Sequence, residues 1–246
     1  MKVFYLNCFR LLKRNKDGQR DWLVKTVLEH GVDIVCLAES SNYDFAEAVP
    51  DQDMFPREYR WIAPPSTLSK MGFKFNICSK LPVSYKSVDY IISPDLYGDK
   101  DDSVVVDYST GKLISMYFTD LGYEIMPVHI QHKQNKSQSL SAGNAFYEIG
   151  LRKLRNYMLV NKPVVVFGDF NNYPDDKSFW ALSEDTGYQR FLCSLPYTYK
   201  RSPLDDSGLV IDHVFTNCSS VHMEYIQAIE HGFNHHGMLI TIDNSQ

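Results

Sequence analysis

The chain is expected to fold as a layered α/β protein, and three features of the sequence lead there. The first forty residues read strand, helix, strand, the pattern of a crossover connection. Short runs of β-branched and aromatic residues then recur at regular spacing, separated by turn residues. The 16 tyrosines and 14 phenylalanines suit a pleated, half-buried surface and favour sheet over a helical bundle. A chain of 246 residues can bury a sizeable core, and no linker, repeat or low-complexity tract divides it. A single domain over residues 1–246 is therefore the economical reading.

Lys2 to Phe9 reads as a strand, because Val3 and Tyr5 lie in a run of β-formers without polar interruption. Gln19 to His30 places Trp22, Leu23, Val27 and Leu28 at helical spacing, and Gly31 is a natural stop. Val32 to Leu37 is a second buried strand, followed by Glu39. Residues 40–56 are loop-like. Strands are expected near 57–62, 73–78, 83–91, 103–108 and 112–118, with Ser109-Thr110-Gly111 as a hairpin turn between the last two. Another covers 124–130 and ends near His129, before a polar loop from Gln131 to Ser141. A helix over 141–160 carries Phe146, Leu151, Leu154 and Met158. Pro163 to Asp169 is a β-branched strand ending at Gly168, a short helix lies near 177–185, and strands close the chain near 209–216, 222–229 and 237–242.

Composition narrows the function classes. A net charge of −5, with only Lys13–Lys16 and Lys200-Arg201 as basic runs, disfavours an extended duplex, whose binding draws its affinity from phosphate neutralisation. Either run reads equally as a solvated loop. The five cysteines are odd in number, widely spaced and without zinc-type spacing, so a reducing cytosol fits better than a disulfide framework. The first residues turn polar too early for a signal peptide, and no run of 18 apolar residues offers a membrane span. A cytoplasmic monomer with no membrane partner is expected.

The chemistry concentrates where strands end. Asn7, Glu39, His129, Asp169 with Asn171, Asp212, and the pair His235-His236 each follow or precede an apolar run. Individually each has a bland reading. A glutamate after a strand usually faces solvent, Asp212 can cap a turn, a histidine can be structural, and Gly168-Asp169-Phe170-Asn171 can be turn chemistry. Together they are polar groups that one edge of a sandwich can collect, where a carboxylate is held partly desolvated and able to take a proton from water.

In that order, the segments resemble the endonuclease/exonuclease/phosphatase superfamily of pancreatic deoxyribonuclease, abasic-site endonucleases and inositol-phosphate phosphatases. Leu6-Asn7 ends the first strand, and Asp33-Ile34-Val35-Cys36-Leu37-Ala38-Glu39 is similar to the family's D-I-(I/V)-x-L-Q-E. Residues 72–83 look like its G-x-x-I-x-S-(R/K)-x-P-(I/V) pair, and Val128-His129 like its central histidine strand. Gly168-Asp169-Phe170-Asn171 matches G-D-F-N, and Ile211-Asp212-His213-Val214-Phe215 matches I-D-(H/Y)-(I/V)-F.

The resemblance implies a four-layered α/β sandwich, with two packed, mostly antiparallel sheets flanked by helices. It also implies a metal-dependent phosphodiesterase using direct attack of water on a nucleic acid. Glu39 and Asn7 would hold Mg²⁺, Asp169 would activate the water, and Asn171, Asn7 and His129 would contact the phosphate. His236 would assist at the phosphoryl oxygens, with Asp212 orienting it. The family's S-D-H-x-P motif departs here to Asn234-His235-His236-Gly237, which puts His235 in the aspartate position, among the metal ligands. An imidazole there would shift preference toward Mn²⁺. A register shifted by one residue would make His235 the catalytic histidine instead. A phosphomonoester or phospholipid head-group substrate is the alternative, and a catalytically degenerate binding module the second alternative. Loops at Ser40–Pro56, Ser93–Asp102 and Gln131–Ser141 would select the substrate, with Tyr43, Phe45, Tyr97 and Tyr173 as candidate stacking residues.

Overall fold

A computed structural model describes residues 1–8, 17–39, 54–62, 76–98, 104–118, 122–130, 140–201 and 206–243. The strands are β1 (Lys2–Asn7), β2 (Ile34–Ala38), β3 (Arg60–Ile62), β4 (Asn76–Ser79), β5 (Ser84–Gly98), β6 (Val104–Phe118), β7 (Tyr123–His129), β8 (Val165–Asp169), β9 (Gln189–Arg190), β10 (Asp212–Thr216), β11 (Val221–Ile226) and β12 (Gly237–Ile242). The α-helices are α1 (Asp17–Glu29), α2 (Leu140–Asn161) and α3 (Lys177–Thr186). None of the helices among the described residues is long and apolar enough to cross a membrane.

The strands form two six-stranded sheets, ordered β11-β12-β1-β2-β4-β3 and β5-β6-β7-β8-β10-β9. Pairing is antiparallel except for β1 with β2 and β7 with β8. Both parallel pairs lie at sheet centres, where strands buried on both faces can be apolar throughout. Accordingly β2 and β8 are buried along their whole length.

The core has three slabs, which define four layers. Between the sheets lie Val3, Tyr5, Ile34, Cys36, Ile77 and Ile240 from one, and Ile125, Val165, Phe167 and Val214 from the other. The outer face of the first sheet, with Phe4, Leu6, Val35 and Leu37, is covered by Leu23 and Val27 of α1. Each such fully buried side chain contributes roughly 1.5–3 kcal/mol relative to exposure. Met126, Val128, Val166 and Phe215 of the second sheet are covered by Leu151, Leu154 and Met158 of α2 and by Phe179 and Leu182 of α3.

Two backbone details decide how the central strands meet. A Cβ at Gly168, whose φ is +145°, would lie 1.9 Å from the Val128 carbonyl oxygen, so β8 can lie against β7 in this register only with glycine there. Pro127 has no N–H to donate, and the β6–β7 ladder is interrupted between Leu113↔Val128 and Met116↔Ile125.

Several expected boundaries change. Ser109-Thr110-Gly111 is not a hairpin turn: β6 runs straight through it, with Ser93↔Ser109, Ile92↔Thr110 and Ile91↔Gly111 paired to β5. Long-range pairing overrides the local turn preference, and it turns Ser93–Gly98, expected as loop, into the end of β5. The strand expected to reach residue 229 stops at Ile226, and Ile229–His231 forms a 3₁₀ turn. The loops at 40–53 and 131–139, with Tyr43 and Phe45, lie outside the described residues, as does Lys13–Lys16.

Candidate active site

The expected polar residues converge at one end of both sheets. Asn7 ends β1, and Glu39 follows β2 in register beside it through Asn7↔Ala38. In the second sheet His129↔Asp169 and Asp212↔Asp169 are adjacent pairs, so the ends of β7, β8 and β10 place one imidazole and two carboxylates in a row. His235 and His236 lead into β12, the other neighbour of β1.

Asn7 ties the two sheets together. Its amide nitrogen donates to Asp169 Oδ2 at 3.0 Å and to Glu39 Oε1 at 3.3 Å. A second inter-sheet link comes from Tyr5, fully buried on β1, whose phenolic oxygen accepts the Asp169 N–H at 2.9 Å. Burial, followed by the charges of Asp169 and Asp212, holds the Tyr5 hydroxyl well above its ordinary pKa. It therefore stays protonated as a neutral partner.

Asp169 is 2% exposed and is held from both sides. The Asn171 backbone N–H donates to its Oδ1 at 2.8 Å, and Asn171 itself has a left-handed φ of 50°. The Asn171 amide in turn donates to the Ile130 carbonyl at 2.8 Å. Burial first, and then the Asp212 carboxylate, push the Asp169 pKa up to about 6. Glu39, also left-handed at φ 50°, lies 3.2 Å from His129 Nε2. Burial raises its carboxyl, but the hydrogen bond and charge of His129 outweigh that and leave it below the ordinary value.

The expected partner of Asp212 is corrected. Asp212 Oδ2 pairs with Nδ1 of His235 at 2.9 Å, not with His236. Burial on its own would lower the His235 pKa, but the charge and hydrogen bond of Asp212 reverse this and raise it to about 9. The other ring nitrogen of His235 lies 4.0 Å from Asp169 Oδ2. His236 is turned to other work: its Nδ1 accepts the Ala228 N–H at 3.2 Å and its ring stacks on Tyr197. The register shifted by one residue, Phe233-Asn234-His235-His236-Gly237 against S-D-H-x-P, is the one in which the partner of Asp212 falls on the motif's histidine.

That shift bears on the metal. Glu39, His129 and Asp169 bring ligand atoms within 4.8 Å of one another, as do Asp169, Asp212 and His235. A concentration of three largely buried carboxylates, with Asp212 Oδ1 buried and lacking a hydrogen-bond partner among the described residues, fits a hard divalent cation that prefers oxygen. His235 Nδ1 is engaged by Asp212 Oδ2, which leaves Nε2 as its free ring nitrogen toward the cluster.

Two residues of the site have no signal in the sequence. Thr198, fully buried, accepts the N–H groups of both Ile211 and Asp212 on its hydroxyl at 3.0 Å. Its carbonyl accepts the His236 N–H at 2.8 Å, so a single threonine sets the backbone on both sides of the Asp212–His235 pair. The ring of Tyr199 packs 4.7 Å from that of His235. Tyr173, two residues beyond Asn171, is exposed, as a stacking residue requires. A cavity of about 420 Å³ between α2 and α3, lined by Glu148, Arg152, Arg155 and Asp185 among others, includes none of the convergent residues.

Comparison with known proteins places this geometry. A family model described as the Endonuclease/Exonuclease/phosphatase family matches residues 6–223. No curated protein matches the sequence. Among solved structures, the chain is similar to the 3′ phosphatase NExo from Neisseria bound to a product DNA hairpin, at 16% identity and TM-score 0.64, covering 99% of both chains. It is similar to a mannosyl-6-phosphatase from Bacteroides thetaiotaomicron at 14% identity, TM-score 0.61 and 98% of both chains. It also resembles sphingomyelinase C from Streptomyces griseocarneus, at 13% identity, TM-score 0.59 and 99% of both chains. At these identities the likeness is one of fold.

Proposed function

We propose, for a chain that belongs to the endonuclease/exonuclease/phosphatase family, that it hydrolyses a phosphodiester in a nucleic acid with the help of a divalent metal. Members of that family are metal-dependent phosphoester hydrolases. The observation that carries the reading is the convergence of Glu39, Asp169 and Asp212 with His129 and His235 at one end of two sheets.

Each residue has a task that its surroundings support. Glu39, with the Asn7 side chain beside it, would hold the cation, and oxygen ligands favour Mg²⁺. When bound, the metal supplies charge neutralisation at the phosphate and a more acidic water. Asp169, with a pKa of about 6 in the metal-free protein, is better matched to proton transfer near neutral pH than an ordinary carboxylate. Asn171 holds that carboxylate in place through its backbone N–H. His235, kept protonated by Asp212, donates from Nε2 to a phosphoryl oxygen, an interaction that strengthens as charge builds there. His129, whose Nε2 lies 3.2 Å from Glu39 Oε1, lines the same pocket. Water attacks phosphorus directly, its proton passes to Asp169, and the leaving oxygen departs without a phosphoenzyme intermediate.

The net charge of −5 favours a second reading, a phosphomonoester or phospholipid head group, whose recognition needs no basic groove. The idea of a degenerate binding module loses its support, since His235 is the partner of Asp212 and not a misplaced metal ligand. Turnover of short single-stranded DNA and RNA, inositol phosphates and sphingomyelin with Mg²⁺, repeated for Asp169→Ala and Glu39→Ala, tests the proposal. Hydrolysis of a nucleic acid that drops more than about 10³-fold in both variants is expected. Undiminished activity in both would sink it.

A further inference from the structure

The substitution of Asn234 for the family motif's aspartate has a consequence beside the active site. Residues 197–201 are laced to the turn that carries the histidines. The Lys200 N–H donates to the Asn234 carbonyl at 2.8 Å, and Tyr199 bridges to His235. The Asn234 side-chain amide donates to the carbonyls of both Lys200, at 3.0 Å, and Arg201, at 2.7 Å. An aspartate has no donor for these bonds and would turn its charge toward two carbonyl oxygens. The neutral amide therefore pins down the segment carrying the pair Lys200-Arg201.

The side chains above that segment form a ladder. His236 stacks on Tyr197, with ring centroids 5.6 Å apart and planes within 17°, and the Lys200 ammonium lies 4.5 Å from the Tyr197 centroid. Lys200 is half-buried and Arg201 exposed, and among the described residues neither has a carboxylate partner. Among the described residues, then, this anchored pair of cations beside His235 faces no carboxylate and can receive an anion from outside.

We propose that Lys200 and Arg201 form a subsite for a second phosphate of the substrate, adjacent in the chain to the one that is cleaved. The inference rests on the hydrolase reading above and sharpens it: the substrate is an oligonucleotide, whose phosphates repeat along a strand, and not a lone phosphoester. The bonds from Asn234 fix the backbone that carries the two cations before substrate arrives, so binding does not bear the cost of ordering that backbone.

The dinucleotides TpT, pTpT and TpTp, with one or two phosphates, separate these possibilities. With Mg²⁺, the natural protein is expected to favour at least one of the two-phosphate forms over TpT by about tenfold in kcat/KM. The double variant Lys200→Ala/Arg201→Ala is expected to bring that preference below about twofold while TpT turnover changes little. Asn234→Asp is expected to weaken the preference in the same direction. Calorimetric affinities of TpT, pTpT and TpTp for Asp169→Asn, with and without the double substitution, report the subsite independently of turnover. A preference that survives the double variant, equal losses on all three substrates, or neither two-phosphate form binding more tightly than TpT overturns the subsite. Failure of the natural protein to hydrolyse any of them overturns the nucleic-acid reading instead, and the affinities still decide the subsite.

Discussion

Replacing Asp212 with asparagine removes the charge that governs His235 while keeping the shape of the side chain. Asp212 and His235 are 2.9 Å apart and both almost completely buried. Moving the imidazole pKa from 6.5 to about 9, against the downward push of burial, corresponds to ~3 kcal/mol of preference for the protonated ring. In Asp212→Asn burial remains and the nearest charge is gone, so the His235 pKa is expected to fall from about 9, with only Asp169 and Glu39 left to hold it up. Asp169 loses the Asp212 charge that raises it and part of the His235 charge that lowers it, so its titration reports how far the ring has been neutralised. The assay is an NMR titration of the metal-free protein following the His235 ring and the Asp169 carboxyl, with kcat at pH 7 measured in parallel. Loss of the charged donor is expected to lower kcat about 10²- to 10³-fold. The sign for stability follows from linkage. A histidine whose folded pKa is raised contributes stability that is complete below pH 6.5 and lost as pH rises through 9. The advantage of the natural protein over the variant in urea therefore shrinks across that window. A His235 still titrating near 9 in the variant, or kcat within threefold of the natural protein, refutes the pairing as the source of the donor.

Thr198→Val, nearly isosteric, leaves the buried N–H groups of Ile211 and Asp212 without an acceptor and is expected to cost roughly 1–3 kcal/mol in urea denaturation. It should lower kcat more than it raises KM, and Thr198→Ser should restore both, whereas a purely structural role predicts no such split. His213 gives the opposite pH dependence to His235. Burial lowers its pKa to about 4, so its contribution is complete above pH 6.5 and disappears as pH falls to 4. The natural protein should lose ~3 kcal/mol more than His213→Gln over that window, and parallel stability curves for the two would contradict this assignment.

The links between the sheets explain why the site lies where it does. Asn7 and Tyr5 reach from β1 to Asp169 on β8, so this carboxylate is anchored across the sandwich and within its own strand. Gly168 lets β8 approach β7 closely enough to set His129 beside Asp169, and Glu39 and Asn171 both hold a left-handed backbone there. Local strain of this kind, of order 1–3 kcal/mol per residue, persists only where surrounding contacts enforce it.

The sequence by itself determined the buried strands and the polar residue ending each one, together with the helices that cover the sheets. Their signals are local: a continuous apolar run, a 3.6-residue period, and glycine at a stop. It also carried the order of motifs that marks the family. What it left open was decided by contacts between distant segments. His235 and His236 are chemically identical neighbours, and successive side chains of an extended segment point to opposite faces, so no composition or spacing separates them. The choice was made where Asp212, Thr198 and Tyr199 meet the turn before β12. Thr198 lies between two tyrosines with nothing local to mark it, and the turn expected at Ser109–Gly111 yields to pairing with β5. Only the tertiary structure supplies those partners, because hydrogen bonds and charges act over a few ångströms of space regardless of separation along the chain.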